Sequence, residues 1–354
     1  MLWKKFNLGL VIPPILIFAL GFTTLYSVSP EHAKNQLLFF IVGVAVYLVF
    51  SLINYEFSAS LWKYFYFGNL ILLAMVFILG KTVSGSVRWF VLFGISLQPS
   101  EFAKFVEILA LGALISKKYE NISGVKGLLK LILPFIPFFI LVFIQPDLGT
   151  TLILIGTLIG VLFYVGLNKL WFVVGFSILS LGSSQIWNIL KDYQKKRILV
   201  FLNPQLDDLG AGYNVVQSLI AVGSGGLFGK GFGRGSQSHL NFLPAYWTDF
   251  ILASFLEEWG FIGFIVLLLF FVFLLAFILR IAFKAKDFLG VSLSIGVFIT
   301  LFSQIFINIG MNLGLMPIAG IPLPFMTYGG SALITNLAML GLVQSVWINT
   351  KSKN

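Results

Sequence analysis

Long runs of apolar residues, separated by short polar or glycine-rich breaks, dominate the hydropathy pattern of the chain. A helix needs about 20 mostly apolar residues to cross the hydrocarbon core of a bilayer. The pattern therefore predicts an all-α, polytopic integral membrane protein with about ten transmembrane helices in a single membrane domain, residues 1–354. The predicted crossings are 8–28, 36–53, 62–79, 99–116, 128–144, 150–166, 170–187, 260–283, 288–309 and 329–348.

The stretch 188–249 is too long to be a simple turn between neighbouring helices. With ten crossings, thirteen Lys and Arg residues fall on the segments that share a side with both termini, and three fall on the short segments opposite. This excess predicts that both termini are cytoplasmic and that 188–249 is a long extracytoplasmic loop. The thirteen are Lys4, Lys5, Lys63, Lys117, Lys118, Lys126, Lys130, Lys169, Arg280, Lys284, Lys286, Lys351 and Lys353; the three are Lys34, Lys81 and Arg88.

Composition narrows the classes of function. Only 10% of residues are charged and 58% are hydrophobic, whereas soluble domains carry roughly 25% charged residues. The net charge of +10 suits an anionic membrane or a phosphate-bearing ligand, and no basic helix or strand suitable for nucleic acid lies outside the apolar runs. Without cysteine, and with only His32 and His239, thiolate and histidine metal sites are excluded. A metal would have to be a hard cation held by carboxylates or substrate phosphates.

A glycine-rich run over residues 223–235 could be mistaken for a nucleotide-phosphate loop. Lys230 follows Gly229 but precedes Gly231, where the phosphate-loop pattern requires Ser or Thr, and Ser224 stands where its first Gly belongs. The sequence therefore gives no support to an ATP-driven mechanism.

Charged residues inside apolar helices are costly and are functional candidates by default. Glu101 and Lys104 lie three residues apart at the start of the fourth predicted helix, so they share a face and can pair. Two readings stay open: a neutralised pair that lets the helix insert, or a cation that reaches an outward cavity and holds an anionic ligand together with Arg88.

A second group of carboxylates, Asp249, Glu257 and Glu258, precedes the eighth predicted helix. These residues either brace the loop through hydrogen bonds and salt bridges or take part in chemistry. A third region, 308–331, is rich in Gly and Pro, which predicts non-helical backbone that lines protein or water and could roof a cavity. Asp147 is predicted to cap the sixth helix. These residues predict an outward, cation-lined cavity with carboxylates beside it, and they do not separate a lipid-linked enzyme from a transporter.

Taken in order, several motifs resemble the SEDS family (shape, elongation, division and sporulation proteins). The resemblance covers most of the chain and is closer to the rod-shape branch than to the division branch, because of Gly210–Asn214 followed by Gln217 and Ser218. The remaining motifs are residues 85–89, 98–104, 145–149, 196–204, 223–233, 248–250, 257–258 and 322–331.

The resemblance implies a peptidoglycan glycosyltransferase of the bacterial cytoplasmic membrane that polymerises lipid II, the undecaprenyl-pyrophosphoryl disaccharide-peptide, on the outer face during cell elongation. It implies a class B penicillin-binding transpeptidase as partner, with other membrane proteins of the elongation complex. The family's catalytic carboxylate falls on Asp249, the expected general base. The expected substrate-binding residues are Lys104, Glu101, Arg88, Arg197, Glu257, Glu258 and Ser331.

The chain departs from the family at Ala245 and Trp247, where Glu and His are usual, so neither position can handle protons or bind a metal. The metal requirement stays open, with Mg²⁺ or Mn²⁺ as candidates.

A division or sporulation member of the same family, a lipid II flippase and a solute transporter are the alternatives. A flippase needs a polar path across the whole bilayer, and a transporter usually shows paired interrupted helices; the charges here gather at the outer half, and one late break has no early counterpart.

Overall fold

The computed structural model describes residues 6–83, 86–92, 95–118, 125–166, 169–173, 177, 185, 187–188, 190, 192–207 and 210–351. The helices are α1 Ile12–Val28, α2 Pro30–Leu52, α3 Tyr55–Ser60, α4 Trp62–Leu79, α5 Pro99–Lys118, α6 Val125–Ile132, α7 Ile136–Ile144, α8 Leu148–Tyr164, α9 Asp192–Leu202, α10 Ala211–Ser224, α11 Ser236–His239, α12 Ile251–Lys284, α13 Phe288–Asn312 and α14 Gly330–Lys351. Three short strands are β1 Lys81–Val83, β2 Ser86–Leu92 and β3 Ile95–Leu97.

The predicted multi-pass helical architecture is confirmed. Among the described residues, 7 segments are long and apolar enough to cross a membrane. The apolar helix α8 is shorter, with 17 residues, and α5 carries Glu101, Lys104 and Glu107 in its first half. The predicted crossing 170–187 lies largely outside the described residues, as do Lys4, Lys5, Gly85 and Lys353. The total of ten crossings therefore stays a prediction.

Helices α13 and α14 form the centre of the bundle. In their most apolar windows, 61% of residues in α13 and 83% in α14 are buried inside the protein, against 22% in α4. Helix α13 packs against α5, α8 and α12, and α14 packs against α2. The lipid-facing surface belongs mainly to the outer helices, which is why their exposed residues are large and apolar.

A small antiparallel sheet, in the order β1-β2-β3, connects α4 to α5. Strand β2 pairs with β1 through Lys81 opposite Trp89, and with β3 through Phe90 opposite Leu97. The hydropathy pattern did not predict this sheet, because its strands are only 3 to 7 residues long. It places Arg88 beside the start of α5.

Helix α12 begins at Ile251, nine residues before the predicted crossing, and breaks at Gly260, whose φ is 65°. The glycine-rich run crosses this break. Lys230 and Gly231 donate backbone hydrogen bonds of 2.9 and 3.0 Å to the carbonyls of Glu257 and Glu258. Beyond the break, Phe261 and Ile262 donate to the carbonyls of Gly226 and Leu227, at 2.9 and 3.1 Å. The run thus satisfies backbone groups that a helix break would leave unpaired.

Two glycines of the run allow this close approach. A Cβ atom on Gly225 would lie 2.1 Å from the carbonyl oxygen of Leu256, and one on Gly229 would lie 2.1 Å from that of Glu258. Distances below 3.0 Å do not occur for real side chains, so only glycine fits. The glycines of the run are therefore explained by its close backbone packing against α12, in agreement with its failure to match a phosphate loop.

Candidate active site

Asp249 lies in the turn immediately before α12. Its backbone carbonyl accepts hydrogen bonds from the side-chain amides of Asn312, at 3.1 Å, and Asn308, at 3.4 Å, one turn apart on α13. Asn308 also donates to the carbonyl of Ile321 at 2.7 Å, and the Asn312 oxygen accepts from Ala253 N at 3.1 Å. Two buried amides therefore fix the backbone that presents the Asp249 carboxylate.

The Asp249 carboxylate itself is left available. It is partly accessible although protein surrounds it densely, the combination expected at the wall of a cavity. Among the described residues, none donates a hydrogen bond to it. Gly320 lies opposite, and a Cβ atom at Gly320 would be 3.7 Å from Oδ2. Desolvation raises the pKa of Asp249 above 3.8, and the nearby charges of Arg197 and Arg88 offset part of that rise.

A second carboxylate, Asp147, stands close enough to Asp249 to raise its pKa further. Asp147 accepts from Thr150 N at 3.2 Å, which confirms that it caps α8. It also accepts from Gln98 Nε2 at 2.9 Å and Ser100 Oγ at 3.0 Å, and Arg88 Nη1 lies 3.6 Å from its Oδ1. Asp147 is therefore fully engaged, and it orients Arg88, whose side chain is 23% exposed.

Ser331 is linked to Asp147 through Gln98. Its hydroxyl accepts a hydrogen bond of 2.9 Å from the backbone N–H of Gln98, and its side chain is buried. The bond ties the start of α14 to the start of α5. The predicted substrate-binding residue Ser331 thus supports the residues that hold Asp147.

Arg197 projects from α9, and its charge acts directly on Asp249. It also lies on the wall of an otherwise mostly apolar cavity of about 220 Å³, formed by α8, α9, α13 and the segment after α13. The wall includes Leu148, Leu152, Ile307 and Ala319. Ala319 in this wall directly precedes Gly320, the residue opposite the Asp249 carboxylate.

Glu101 and Lys104 form the predicted pair, with Lys104 Nζ 2.7 Å from Glu101 Oε2. Both side chains are buried, with 4% of Glu101 and 1% of Lys104 exposed. Lys104 therefore lies away from any accessible surface, and the geometry favours a neutralised pair. Direct contact between Lys104 and a ligand stays a prediction.

Glu257 and Glu258 lie within α12, on the side of the break nearer to Asp249. Glu257 is buried and accepts from Lys230 at 2.6 Å, from Ser236 at 3.2 Å and from Gln237 N at 3.1 Å. Glu258 accepts from Ser27 and from Gly233 N. Both carboxylates clamp the glycine-rich run onto α12, so their geometry favours the bracing role over substrate binding.

The two positions that depart from the family pattern have packing roles. Ala245 has a φ of 50°, and its carbonyl accepts from Thr248 N and Phe250 N at 3.0 and 3.2 Å, which closes the turn that carries Asp249. Trp247 stacks on His32, with ring centroids 5.2 Å apart. Neither supplies a proton-transfer or metal-binding group.

No three His, Asp or Glu side chains of the described residues are grouped as a metal site would require. Asp147 and Asp249 lie close enough to interact, and Mg²⁺ is often bound by one or two carboxylates together with substrate phosphates. A divalent cation would fit here only with phosphate oxygens completing its coordination.

Sequence reasoning missed the contributions of Asn308, Asn312 and the further partners of Asp147. The two asparagines stood in the Gly- and Pro-rich region, spaced by four residues on one helical face. That spacing signals a shared partner, but the identity of the partner depends on tertiary structure.

Comparison with known proteins identifies the family of the chain. Residues 2–352 match the model of the FtsW/RodA/SpoVE family, described as cell cycle proteins. The chain is 36% identical to the peptidoglycan glycosyltransferase MrdB of Escherichia coli K12, over 99% of this chain and 96% of that protein. It is 35% identical to the stage V sporulation protein E of Bacillus subtilis 168, over 96% of each.

The fold also matches a solved structure, described as showing how a peptidoglycan synthase complex coordinates polymerization and crosslinking. The TM-score is 0.83 and the sequence identity 30%, and the match covers 98% of both chains. Family model, relatives and fold agree over nearly the whole length, and the chain therefore belongs to the FtsW/RodA/SpoVE family of multi-pass membrane proteins.

Proposed function

We propose that this chain is a peptidoglycan glycosyltransferase that polymerises lipid II, with Asp249 as general base. One observation carries the proposal: a carboxylate without a hydrogen-bond donor among the described residues, with a raised pKa, stands near two arginines, one of which lines an apolar cavity. The names of the relatives support the same activity.

The chemistry follows from these groups. Lipid II is an α-linked glycosyl pyrophosphate and the product is β-linked, so the transfer inverts the anomeric carbon. Asp249 takes the proton of the acceptor 4-hydroxyl while that oxygen attacks the anomeric carbon. The bond from this carbon to the pyrophosphate oxygen breaks, and the polyprenyl pyrophosphate departs.

The departing negative charge needs cations rather than a strong acid, because pyrophosphate is already a good leaving group. Arg88 and Arg197 supply positive charge beside Asp249, and guanidinium groups match phosphate oxygens in geometry. The cavity that contains Arg197 continues along Leu148, Leu152 and Ile307. The first isoprene units of the lipid tail would lie there.

A divalent cation on the pyrophosphate is the alternative source of positive charge. Loss of activity in EDTA, with recovery in Mg²⁺ or Mn²⁺, would identify it.

The direct test is synthesis by purified protein. Wild-type chain, reconstituted with a partner transpeptidase and fluorescent lipid II, should convert the lipid into glycan chains resolved on a gel. A flippase or a transporter makes no polymer under these conditions. Absence of chains from well-folded protein with its partner would therefore reject the enzyme.

We also propose the predicted orientation, with both termini in the cytoplasm and the site on the outer face. Because the chain has no cysteine, a single introduced cysteine is the only thiol in the protein, and its reactivity shows on which side of the membrane that residue lies. In intact spheroplasts, Gln205→Cys should react with an impermeant thiol reagent, whereas Lys286→Cys should react only after the membrane is opened. Both side chains are exposed, so protection reflects the membrane. The opposite pattern would place the site in the cytoplasm.

A class B transpeptidase is the proposed partner, as the family resemblance implies. An apolar groove of about 360 Å³ runs between α12 and α13 and is lined by residues such as Phe264, Phe271, Phe302 and Phe306. Its described lining has no polar surface, which suits a single transmembrane helix. The solved relative described as part of a synthase complex supports this pairing.

Replacing Phe306 by Ala should weaken capture of the transpeptidase about tenfold, equivalent to ~1.4 kcal/mol, because it removes a ring that is 55% exposed in the groove. Co-purification of tagged protein with a penicillin-labelled band measures the effect. Phe67→Ala is the matched control, since Phe67 is 60% exposed on α4. Equal losses in both variants would place the partner elsewhere.

Among the branches of the family, we propose the rod-shape branch, with other elongation proteins as neighbours in the membrane. The support is the motif at Gly210–Asn214 with Gln217 and Ser218. Restoration of rod shape in cells depleted of their own elongation polymerase is the test, and rescue of division alone would favour the division branch.

A further inference from the structure

The predicted extracytoplasmic loop carries a series of exposed apolar side chains. On α10, Val216, Leu219 and Ile220 are 40%, 43% and 44% exposed, although helices in water normally turn polar residues outward. Leu227, Phe228 and Phe232 extend the stripe through the glycine-rich run, at 63%, 79% and 55% exposure. We name these six residues the apolar stripe.

The opposite face of α10 is packed against the bundle. Val215 and Ala221 are buried, and Ser218 donates a hydrogen bond of 2.9 Å to the carbonyl of Asn312. Asn312 is the last residue of α13. This bond therefore fixes α10 at the level where α13 ends.

The other end of the stripe is fixed independently. Gly226 and Leu227 accept the backbone hydrogen bonds of Phe261 and Ile262, the first residues of α12 after its break. Phe261 and Ile262 are 52% and 50% exposed, and Leu269 continues their exposed face at 48%. Leu227 and Phe228 thus stand beside the start of a membrane-crossing surface.

We propose that the apolar stripe lies in the bilayer, so that residues 211–232 form an interfacial anchor that enters the acyl chain boundary at this end of the bundle. Three features favour lipid as the occupant. The stripe continues the apolar face of α12, its two tethers hold it where the spans end, and Arg234 beside it is exposed, suitably for lipid phosphates. Aromatic and aliphatic side chains with nearby Arg are typical of helices that lie in the membrane interface.

The anchored run is also connected to the segment that carries Asp249. Glu257 and Glu258 clamp the same run onto α12, and α12 begins two residues after Asp249. The proposal itself rests on the exposure of the apolar stripe and on its two tethers, and it would stand if the chain had another activity.

Spin labels on single cysteines test the depth of the stripe in proteoliposomes of the full chain. Labels at Ile220→Cys and Phe228→Cys are compared with Gln205→Cys as the aqueous reference and Leu269→Cys as the lipid reference. The measurement is the logarithm of the ratio of collision rates with oxygen and with a water-soluble nickel complex. We expect a positive value at 220, 228 and 269 and a negative value at 205.

Negative values at 220 and 228 would overturn the proposal. Loss of collisions with both reagents would also overturn it, because the stripe would then contact protein; loss only after the transpeptidase is added would assign the stripe to that partner. Both substituted side chains point away from the bundle, and the two positions report separately. A single monodisperse peak on gel filtration confirms that each labelled protein is folded.

Discussion

Replacing Asp249 by asparagine is expected to lower the rate of glycan synthesis by about 10²–10⁴-fold, the usual cost of losing a general base. The amount of folded protein should stay unchanged. The structure explains this separation, because Asn308 and Asn312 hold the backbone carbonyl of Asp249, which the substitution keeps. The described residues make no hydrogen bond to its carboxylate, so asparagine leaves none of them without its partner.

The assay is polymerisation of lipid II with the partner present, alongside thermal stability in detergent. Asp192→Asn is the matched control, since Asp192 is exposed at the start of α9 and should retain full activity. If Asp249→Asn kept activity within tenfold of wild type, the base would have to be another carboxylate. Asp147, the other carboxylate beside the arginines, would be tested next.

The pH profile of the wild type is an independent test of Asp249 as the general base. Desolvation raises the pKa of Asp249 above 3.8, and a base works only when deprotonated. The value of kcat/KM should therefore fall as the pH drops through a pKa above that ordinary value, and the residual activity of Asp249→Asn should lack this acidic limb. A limb in the variant at the same pH would belong to another group.

How far the sequence predicts this site depends on the distance between the partners along the chain. The Glu101–Lys104 pair and the Asp147 cap join residues three apart, and helical geometry alone predicts both. The pairing of Arg88 with Asp147 joins residues 59 positions apart, and Arg88 lies on a sheet that hydropathy does not reveal. Local spacing in the sequence therefore could not identify Asp147 as the partner of Arg88.

The carboxylates near α12 show the same limit. On an unbroken helix, Asp249 and Glu257 would point the same way, but Asp249 lies before the helix begins and Glu257 faces the glycine-rich run. The sequence excludes the run as a phosphate loop but does not reveal that it caps the backbone of the helix break at Gly260, because its carbonyl and N–H partners lie on α12. Asp249 itself was identified by family resemblance, and the structure adds the surroundings that suit it to the role.

Breaking the Glu101–Lys104 pair is expected to produce the largest loss of stability. Lys104→Met leaves the Glu101 carboxylate buried without its cation, which typically costs about 3–5 kcal/mol. The double variant Glu101→Gln with Lys104→Met removes both charges and should recover most of that loss, because side chains of similar size then fill the same space. The thermal midpoint of the monomeric protein in detergent measures both effects.

Glu107→Gln on the same helix is the control. Glu107 is also buried, and neither of its carboxylate oxygens has a hydrogen-bond partner among the described residues, so this substitution breaks no pair and should not destabilise the protein. Activity of the double variant then decides between the two readings of Lys104. Because 1% of the Lys104 side chain is exposed, we expect polymerisation to return to within tenfold of wild type. A double variant that is stable yet inactive would mean that the lysine itself holds the pyrophosphate, which would require the start of α5 to open during the reaction.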